Sequence, residues 1–494
     1  MMMRAYNSIN IHHATIKKSI RARLFLSRTS PIAHRAAAQS VFFDTGIDFN
    51  SANIVYYLLY IILDIAVIIF VTIKLTTYNI KKTRSAHILD NFLFGANIVT
   101  KIMVIAGMAV IAGDFAATAF TIFYQKRIYK KRRAKYDENY TPRCSVIVPC
   151  KGIPKNFGDN LRGFLQLDYP DFEVIYVVES ENDAALPEIR KIAAEDQRAK
   201  WAVAGLASEC AQKNYNMLAA LREVSDTTEI FVFADSDIKP AKHWMREIVL
   251  PLQDSKITVT TGFRWLLSAA GSAGELCHAY VNIFIYTCFC TVCHFGGVGL
   301  WGGTMAIRRK DFEELGVAKK WSRAAVDDMS LSALVLKNRR KAMVVPTCLT
   351  VTDDLLPTVS ATVSWFERQI MYLKSYQKPL WFVSLPIAVS AVALLCLLPI
   401  AAISALITTP HSFWELGGGG ALLFILGNTL TVLLYPALGK MPFFGRFLLL
   451  MPYLRITQAI SYFKTWLTTT ITWAGIKYKL ESNGDVKTLT RPKK

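Results

Sequence analysis

The sequence predicts an α/β domain with a Rossmann-like, mostly parallel sheet over residues 140–378, carried between transmembrane helices on its N- and C-terminal sides. Three observations predict it. Between about 140 and 345, short β-type runs (CSVIVP, EVIYVV, WAVAG, IFVFAD) alternate with helix-period stretches such as LPEIRKIAAEDQRAKW, the pattern of a parallel sheet covered on both faces. Apolar segments on either side of this region are long enough to cross a bilayer core of about 30 Å. The third is composition: 52% of the 494 residues are hydrophobic and only 19% are charged, an apolar excess that points to membrane segments.

Residues 1–52 read as a basic, disordered tail. Positions 1–43 hold seven Lys or Arg and the first acid is Asp44, a composition that an organelle-targeting segment and a plain basic tail share. Two transmembrane helices are expected within 53–124, at about 53–74 and 98–124. QKRIYKKRRAK follows, with seven basic residues between Lys126 and Lys135. A cluster this tight at a membrane exit puts the next segment on the cytosolic side, and 125–139 reads as a basic juxtamembrane linker. Beyond 378 two further spans are expected, PLWFVSLPIAVSAVALLCLLPIAAISALI and the stretch near 416–438, then an interfacial helix within 443–474 carrying Arg455 and Lys464. The C-terminal membrane and interfacial helices thus occupy 379–475 and a basic cytosolic tail 476–494. The expectation is a multi-pass integral membrane protein, of a bacterial inner membrane or a eukaryotic endomembrane, with its central domain in the cytosol.

Net charge is +20, from 57 Lys and Arg against 37 Asp and Glu. Much of that surplus lies beside apolar runs, so anionic lipid headgroups and an anionic substrate are the expected partners. No nucleic-acid-binding motif is present, and nucleic acid is not among them. Cys288, Cys290, Cys293 and His294 make a C-x-C-x2-C-H cluster, but a zinc site pairs such a knuckle with a second one. Their setting, IFIYTCFCTVCHF, reads as an apolar helix with small polarizable residues.

Chemistry concentrates where the β-type runs end. FVFADSDIKP closes a buried strand on Asp235 and Asp237. Two carboxylates this close repel unless a cation lies between them, and Mg²⁺ favours one or two carboxylates plus substrate phosphates. Alone, D-x-D is a common turn; its company strengthens it. VVESENDAA ends an earlier strand with Glu179, Glu181 and Asp183, and AAVDDMSLS offers Asp327 and Asp328 where a helix can start, with Ser330 close behind. Such acids also serve as solvated turns and as N-terminal helix charges. In a doubly wound sheet, however, ligands sit at the strands' carboxyl ends and the three clusters converge there. Lys213 in QKNYNML and Arg368 in SWFERQIMYLKSY are candidate partners for a diphosphate, against surface charge and headgroup snorkelling as plain roles. GVGLWGGTMAIRR puts Trp301, Gly302 and Gly303 on a turn whose glycines let backbone approach a sugar ring or a lipid head.

In order, VIVPCKGIPKNFGDNLRGFLQLDYPDFEVIYVVESENDAA, QKNYNML, FADSDI, WGGTMAIRR, VDDMSL and RQIMY resemble the family 2 type of nucleotide-sugar glycosyltransferases. The LDYP-x-FEV run and the C-terminal ITWAGIKYKL resemble its ceramide glucosyltransferase-like group. The resemblance covers about 140–378 and, more weakly, the membrane segments. It implies a GT-A type cytosolic domain and an inverting transfer of one sugar from a UDP-sugar to a lipid acceptor such as ceramide. Carried over by position, Asp183 contacts the nucleotide base or ribose, while Lys213 stays a diphosphate candidate from its own setting. Asp235 and Asp237 hold a Mg²⁺ or Mn²⁺ ion that bridges the diphosphate, and Asp328 is the general base; Trp301, Gly302, Gly303 and Asp327 are acceptor-side candidates from their own setting. Arg368 opens the family's (Q/R)-x-x-R-W motif, which here reads Arg368-Gln369-Ile370-Met371-Tyr372. One fixed positive charge and one indole are missing, with Lys374 as a candidate replacement. Two alternatives stay open: a polysaccharide synthase, and a catalytically inactive membrane protein that binds nucleotide-sugar or lipid only.

Overall fold

The computed structural model describes residues 86–352, 355–407, 411, 414 and 417–492; the tail at 1–52 and the first expected span at 53–74 lie outside them. The second expected span is α1 (Ala86–Phe123), which starts well before residue 98 and passes through a π-helical turn, Tyr124–Tyr129, into Lys130–Arg133. The expected linker at 125–139 is therefore helical for half its length, and it is docked. The Tyr124 hydroxyl donates to Val344 O at 2.7 Å, Tyr129 to Glu247 at 3.1 Å, and Arg133 pairs with Glu247 at 2.6 Å. These contacts dock the C-terminal turns of the helix on the sheet domain.

The four apolar runs become β1 (Cys144–Pro149), β2 (Phe172–Val178), β3 (Ala199–Val203) and β4 (Ile230–Ala234). β2 is buried at every residue, as a parallel strand covered on both faces must be. Between them run α2 (Phe157–Leu165), α3 (Leu186–Glu195) and α4 (Gln212–Ala220); α5 (Trp244–Val249) follows β4. Three more strands complete the sheet: β5 (Ile257–Leu266), β6 (Thr304–Arg308) and β7 (Lys341–Thr352), in the order β3-β2-β1-β4-β6-β5-β7. All neighbours pair in parallel except β6, which is antiparallel to β4 and β5. Chain order reverses at β1, which β2 and β4 flank, and the crevice of such a sheet opens at the carboxyl ends of strands at this point.

The longer helices that follow are α6 (Ala273–His294), α7 (Asp327–Lys337), α8 (Val359–Tyr376), α9 (Lys378–Ile407), α10 (Gly418–Leu433) and α11 (Phe444–Lys464), with two short ones, Arg309–Glu314 and Val317–Trp321, between β6 and α7. The cysteine-rich stretch is the C-terminal half of α6, as its apolar setting predicts. Four helices among the described residues are long and apolar enough to cross a membrane, over Val104–Arg133, Ala273–His294, Lys378–Ile403 and Gly418–Ala437. The second of them, α6, lies within the expected cytosolic domain and was not counted as a span; two-thirds of it is buried in the protein.

Two C-terminal expectations fail. Arg455, expected at the membrane interface, is only 2% exposed. It donates to Asn428 Oδ1 on α10 at 2.7 Å and to Gln458 Oε1 at 3.1 Å, and pairs with Asp114 on α1. A charge inside a helix bundle needs a counter-charge, and Asp114, itself on the second expected span, supplies it. The expected tail at 476–494 is a sheet, not a tail. β8 (Thr470–Trp473), β9 (Ile476–Leu480) and β10 (Val486–Thr490) pair antiparallel. Buried Ile471, Ile476, Tyr478 and Leu480 alternate with exposed Thr472, Lys477 and Lys479, so the period of two was present under the basic residues.

Candidate active site

β1 and β4 end on the wall of one cavity of about 1130 Å³. Pro149, Cys150 and Lys151 come from the end of β1; Asp235, Ser236 and Asp237 come from the end of β4. Lys213 of α4, the loop Trp301–Gly303 before β6, Asp327 and Asp328 of α7, and Arg368 of α8 line the same cavity. Nine of the ten candidate residues thus meet. Asp183 is the exception: its carboxylate stands behind the wall and accepts from Gly152 N at 2.9 Å and Ala185 N at 3.0 Å. It shapes the loop after β1. Glu179 and Glu181 do not join the other acids. Glu179 pairs with Lys151 at 3.0 Å, and Glu181 pairs with Arg190 at 2.6 Å on the exposed surface.

Lys213 is the hub. Its ammonium lies 2.7 Å from Asp235 Oδ1 and 3.1 Å from Asp327 Oδ2, and donates to Gly302 O at 3.3 Å. Burial draws Lys213 down, but Asp235, Asp327 and Asp328 outweigh it and hold the ammonium well above its usual range. Extended Val326 ends the preceding loop, so Asp327 and Asp328 fall in the first turn of α7, where the helix dipole favours negative charge. Asp327, spent on Lys213, is 2% exposed. Asp328 is less buried and accepts from Gly302 N at 2.9 Å and Met329 N at 2.6 Å. Its water-poor setting, with Asp327 adjacent, pushes its carboxyl up to about 7 against the pull of Lys213 and the two amides. Asp237 opens into the cavity; lost hydration and then Asp235 raise it to about 6, opposed by Arg264 and Lys213.

The Gly302 peptide bridges both halves of this arrangement, N–H to Asp328 and C=O to Lys213. A Cβ there would lie 2.4 Å from Asp327 Oδ2, and one on Gly303 would lie 2.2 Å from the Trp301 ring. Both glycines are required by close approach rather than by a turn. Gly302→Ala should separate Asp327 from Lys213, lower transfer activity about tenfold or more and destabilise by about 1–3 kcal/mol. Activity and thermal melting of the purified variant measure both, and an unchanged rate removes this bridge from the site.

The donor set fits a divalent cation. Asp235 and Asp237 sit one residue apart on the cavity wall, with Asp237 exposed to the cavity. No cluster of three or more His, Cys, Asp or Glu side chains among the described residues could hold a metal alone, so further donors must come from a phosphate-bearing substrate, the arrangement Mg²⁺ tolerates.

The motif departure has a packing explanation. Met371 and Tyr372 are buried with Ala211, Ala325, Met329, Ile471, Ile476, Tyr478 and Leu480, beneath the C-terminal sheet. Lys374 does not replace the missing charge: its ammonium donates to Thr465 O at 2.5 Å and Thr468 O at 3.0 Å, beyond the end of α11. Sequence reading passed over Lys151, Arg264, His278 and Trp365, which also line the cavity. Lys151 follows β1 as Asp235 follows β4, so the same strand-end rule finds it; the others sit inside elements whose sequence carries no such mark.

The sheet is mostly parallel and gathers acids at the carboxyl ends of its strands, where open α/β sheets bind their ligands. The model of glycosyl transferase family 21 matches residues 111–486, and the chain belongs to that family. The chain is also similar to the solved mannosyltransferase PcManGT from Pyrobaculum calidifontis in complex with GDP-Man and Mn²⁺, at 18% identity over 73% of this chain and 99% of that one, TM-score 0.43. Glucosyl-3-phosphoglycerate synthase from Mycobacterium tuberculosis, in complex with phosphoglyceric acid, is similar at 18% identity over 44% of this chain and 72% of that one, TM-score 0.28.

Proposed function

We propose that this glycosyltransferase is membrane-bound and inverting, and moves a single sugar from a UDP-sugar to the hydroxyl of a lipid such as ceramide. One observation carries the reading: the cavity that holds the acids continues along apolar walls of the membrane-type helices, past Phe284 and Phe289 of α6 and Val383, Ile387 and Ala391 of α9. A polar end joined to an apolar arm suits a substrate with a reactive head and a hydrocarbon tail. Exposed Leu422, Leu426, Leu430 and Leu433 on α10 form a stripe at helical spacing, which supports contact with a bilayer. The basic run before residue 140 supports a cytosolic catalytic domain.

In this reading Asp328 takes the proton of the acceptor hydroxyl as its oxygen bonds to the anomeric carbon and the bond to the diphosphate oxygen breaks. A carboxyl near pH 7 suits that task, and Gly302 N–H holds it in place. Asp235 and Asp237 would hold a Mg²⁺ or Mn²⁺ ion, which supplies positive charge to the departing diphosphate. Lys213 orients Asp235 and Asp327, Arg368 adds positive charge at the cavity wall, and Asp183 shapes the loop beside the nucleotide. Trp301, Gly302, Gly303 and Asp327 form the acceptor side.

The test uses membranes containing the protein, Mn²⁺ and a set of radiolabelled UDP-sugars. Expected is label in a single-sugar lipid, lost on chelation and in the Asp328→Ala protein. Long labelled polymers made without added lipid would favour a polysaccharide synthase instead. UDP release with label in neither product would overturn the reading.

A further inference from the structure

The C-terminal sheet reaches the cavity. Trp473 and Ala474, at the tip of the β8–β9 hairpin, line it together with Arg368 and Asp328. In β8, residues 471 and 473 share a face, and Ile471 is buried against Met371 and Tyr372. Trp473 continues that face at the edge of the apolar cluster, packs against it with part of its surface, and is only partly buried where it lines the cavity. The hairpin turn is two residues long: Trp473 pairs with Ile476, and Ala474 and Gly475 have φ of 48° and 79°. This tight turn makes Trp473 the last paired residue of its strand. A non-glycine residue at positive φ is uncommon and persists where its surroundings over-determine it.

The surroundings do so. The Tyr478 hydroxyl accepts from Gln212 N, next to Lys213, at 3.3 Å. Asp485 pairs with Lys320 at 2.6 Å, and Arg368 Nη1 donates to Thr472 O at 3.5 Å. The sheet is thereby tied to α4, to the segment before α7 and to α8, all of which carry or flank residues of the site.

We propose that the hairpin tip is a binding subsite for the transferred sugar ring, with the indole of Trp473 as its packing face. This rests on the proposed glycosyl transfer. A pyranose presents an apolar C–H face and a polar hydroxyl edge; a rigid, flat indole suits the first, and Arg368 and Asp328 suit the second. The lipid chain is a poorer fit, because its apolar wall is on α9. Through this tip the C-terminal sheet adds an indole to a cavity that Tyr372 of α8 also lines.

The test is acceptor-free binding to the purified full-length protein, comparing nucleotide-sugars with their matching nucleoside diphosphates. It uses wild type, Trp473→Leu, which keeps the apolar bulk without the flat face, and Trp473→Phe. Trp473→Leu should weaken the nucleotide-sugar about five- to tenfold, leave the nucleoside diphosphate unchanged, and be largely rescued by Trp473→Phe. Equal weakening of both ligands, or of neither, overturns the proposal, and melting temperatures show whether all three proteins are folded. Because no acceptor is present, failure of the lipid assay leaves this comparison standing. A wild-type protein that binds no nucleotide-sugar more tightly than its diphosphate overturns the subsite directly.

Discussion

Asp328→Asn should lower the rate of sugar transfer about 10²- to 10⁴-fold, the range for removing a positioned general base, with nucleotide-sugar binding nearly unchanged. The amide keeps the size of the carboxyl and an oxygen for Gly302 N–H, at the cost of the second hydrogen bond from Met329 N–H, and it removes the proton acceptor. The wild-type pH profile has a definite sign. A base must be ionised, and burial with Asp327 beside it pushes Asp328 up to about 7. kcat/KM of the free enzyme should therefore fall about tenfold per pH unit below about 7. Stability moves oppositely. The folded-state value lies above the usual carboxylate value of about 3.9, so between about pH 4 and 7 the folded protein binds more protons than the unfolded chain. Stability from this group is then lost as pH rises through that window. Asp328→Asn should melt higher than wild type at pH 8 while being nearly inactive. A variant that keeps its rate, or a profile flat from pH 5 to 8, removes Asp328 from the base role.

Asp114→Leu should be among the most destabilising single changes, at about 3–5 kcal/mol. It leaves the Arg455 guanidinium buried with Asn428 and Gln458 but no counter-charge. Arg455→Met alone should cost less, because a buried carboxyl can take up a proton and become neutral. The pair Asp114→Leu with Arg455→Met should recover most of the loss, since apolar replacements of a buried ion pair are often neutral. Thermal melting and the monodisperse yield in detergent, compared across the three variants, decide it. A double variant no better than Asp114→Leu would show that the residues act separately.

Much of the site was legible because strand ends leave local marks. FADSDI reads as a buried run stopping on carboxylates, and parallel topology brings such ends to one crevice, so Asp235, Asp237, Asp327 and Asp328 could be grouped before any coordinates. Lys213 was found, but not its role: that it pairs with Asp235 and Asp327 at once depends on α4 lying against two segments distant in sequence. β5 and β7, ITVTTGFRWL and KAMVVPTCLTVT, are rich in β-branched residues but fall outside the alternation of short runs with helices that marks the first four strands.

By itself the sequence determined the α/β class, the first four strands and the positions of the acids, because periodicity and strand-end chemistry are written within a few residues. Only the tertiary structure decided which charges pair and which surfaces meet. Arg455 looked interfacial until Asp114, distant in the chain, lay against it. The final basic residues looked like a tail until an apolar face every second residue found Met371 and Tyr372 to cover. Those two residues, a loss when set against a motif, are the floor of a sheet that carries Trp473 to the cavity. Ion pairing and burial depend on distance in space, and no local window of sequence contains that distance.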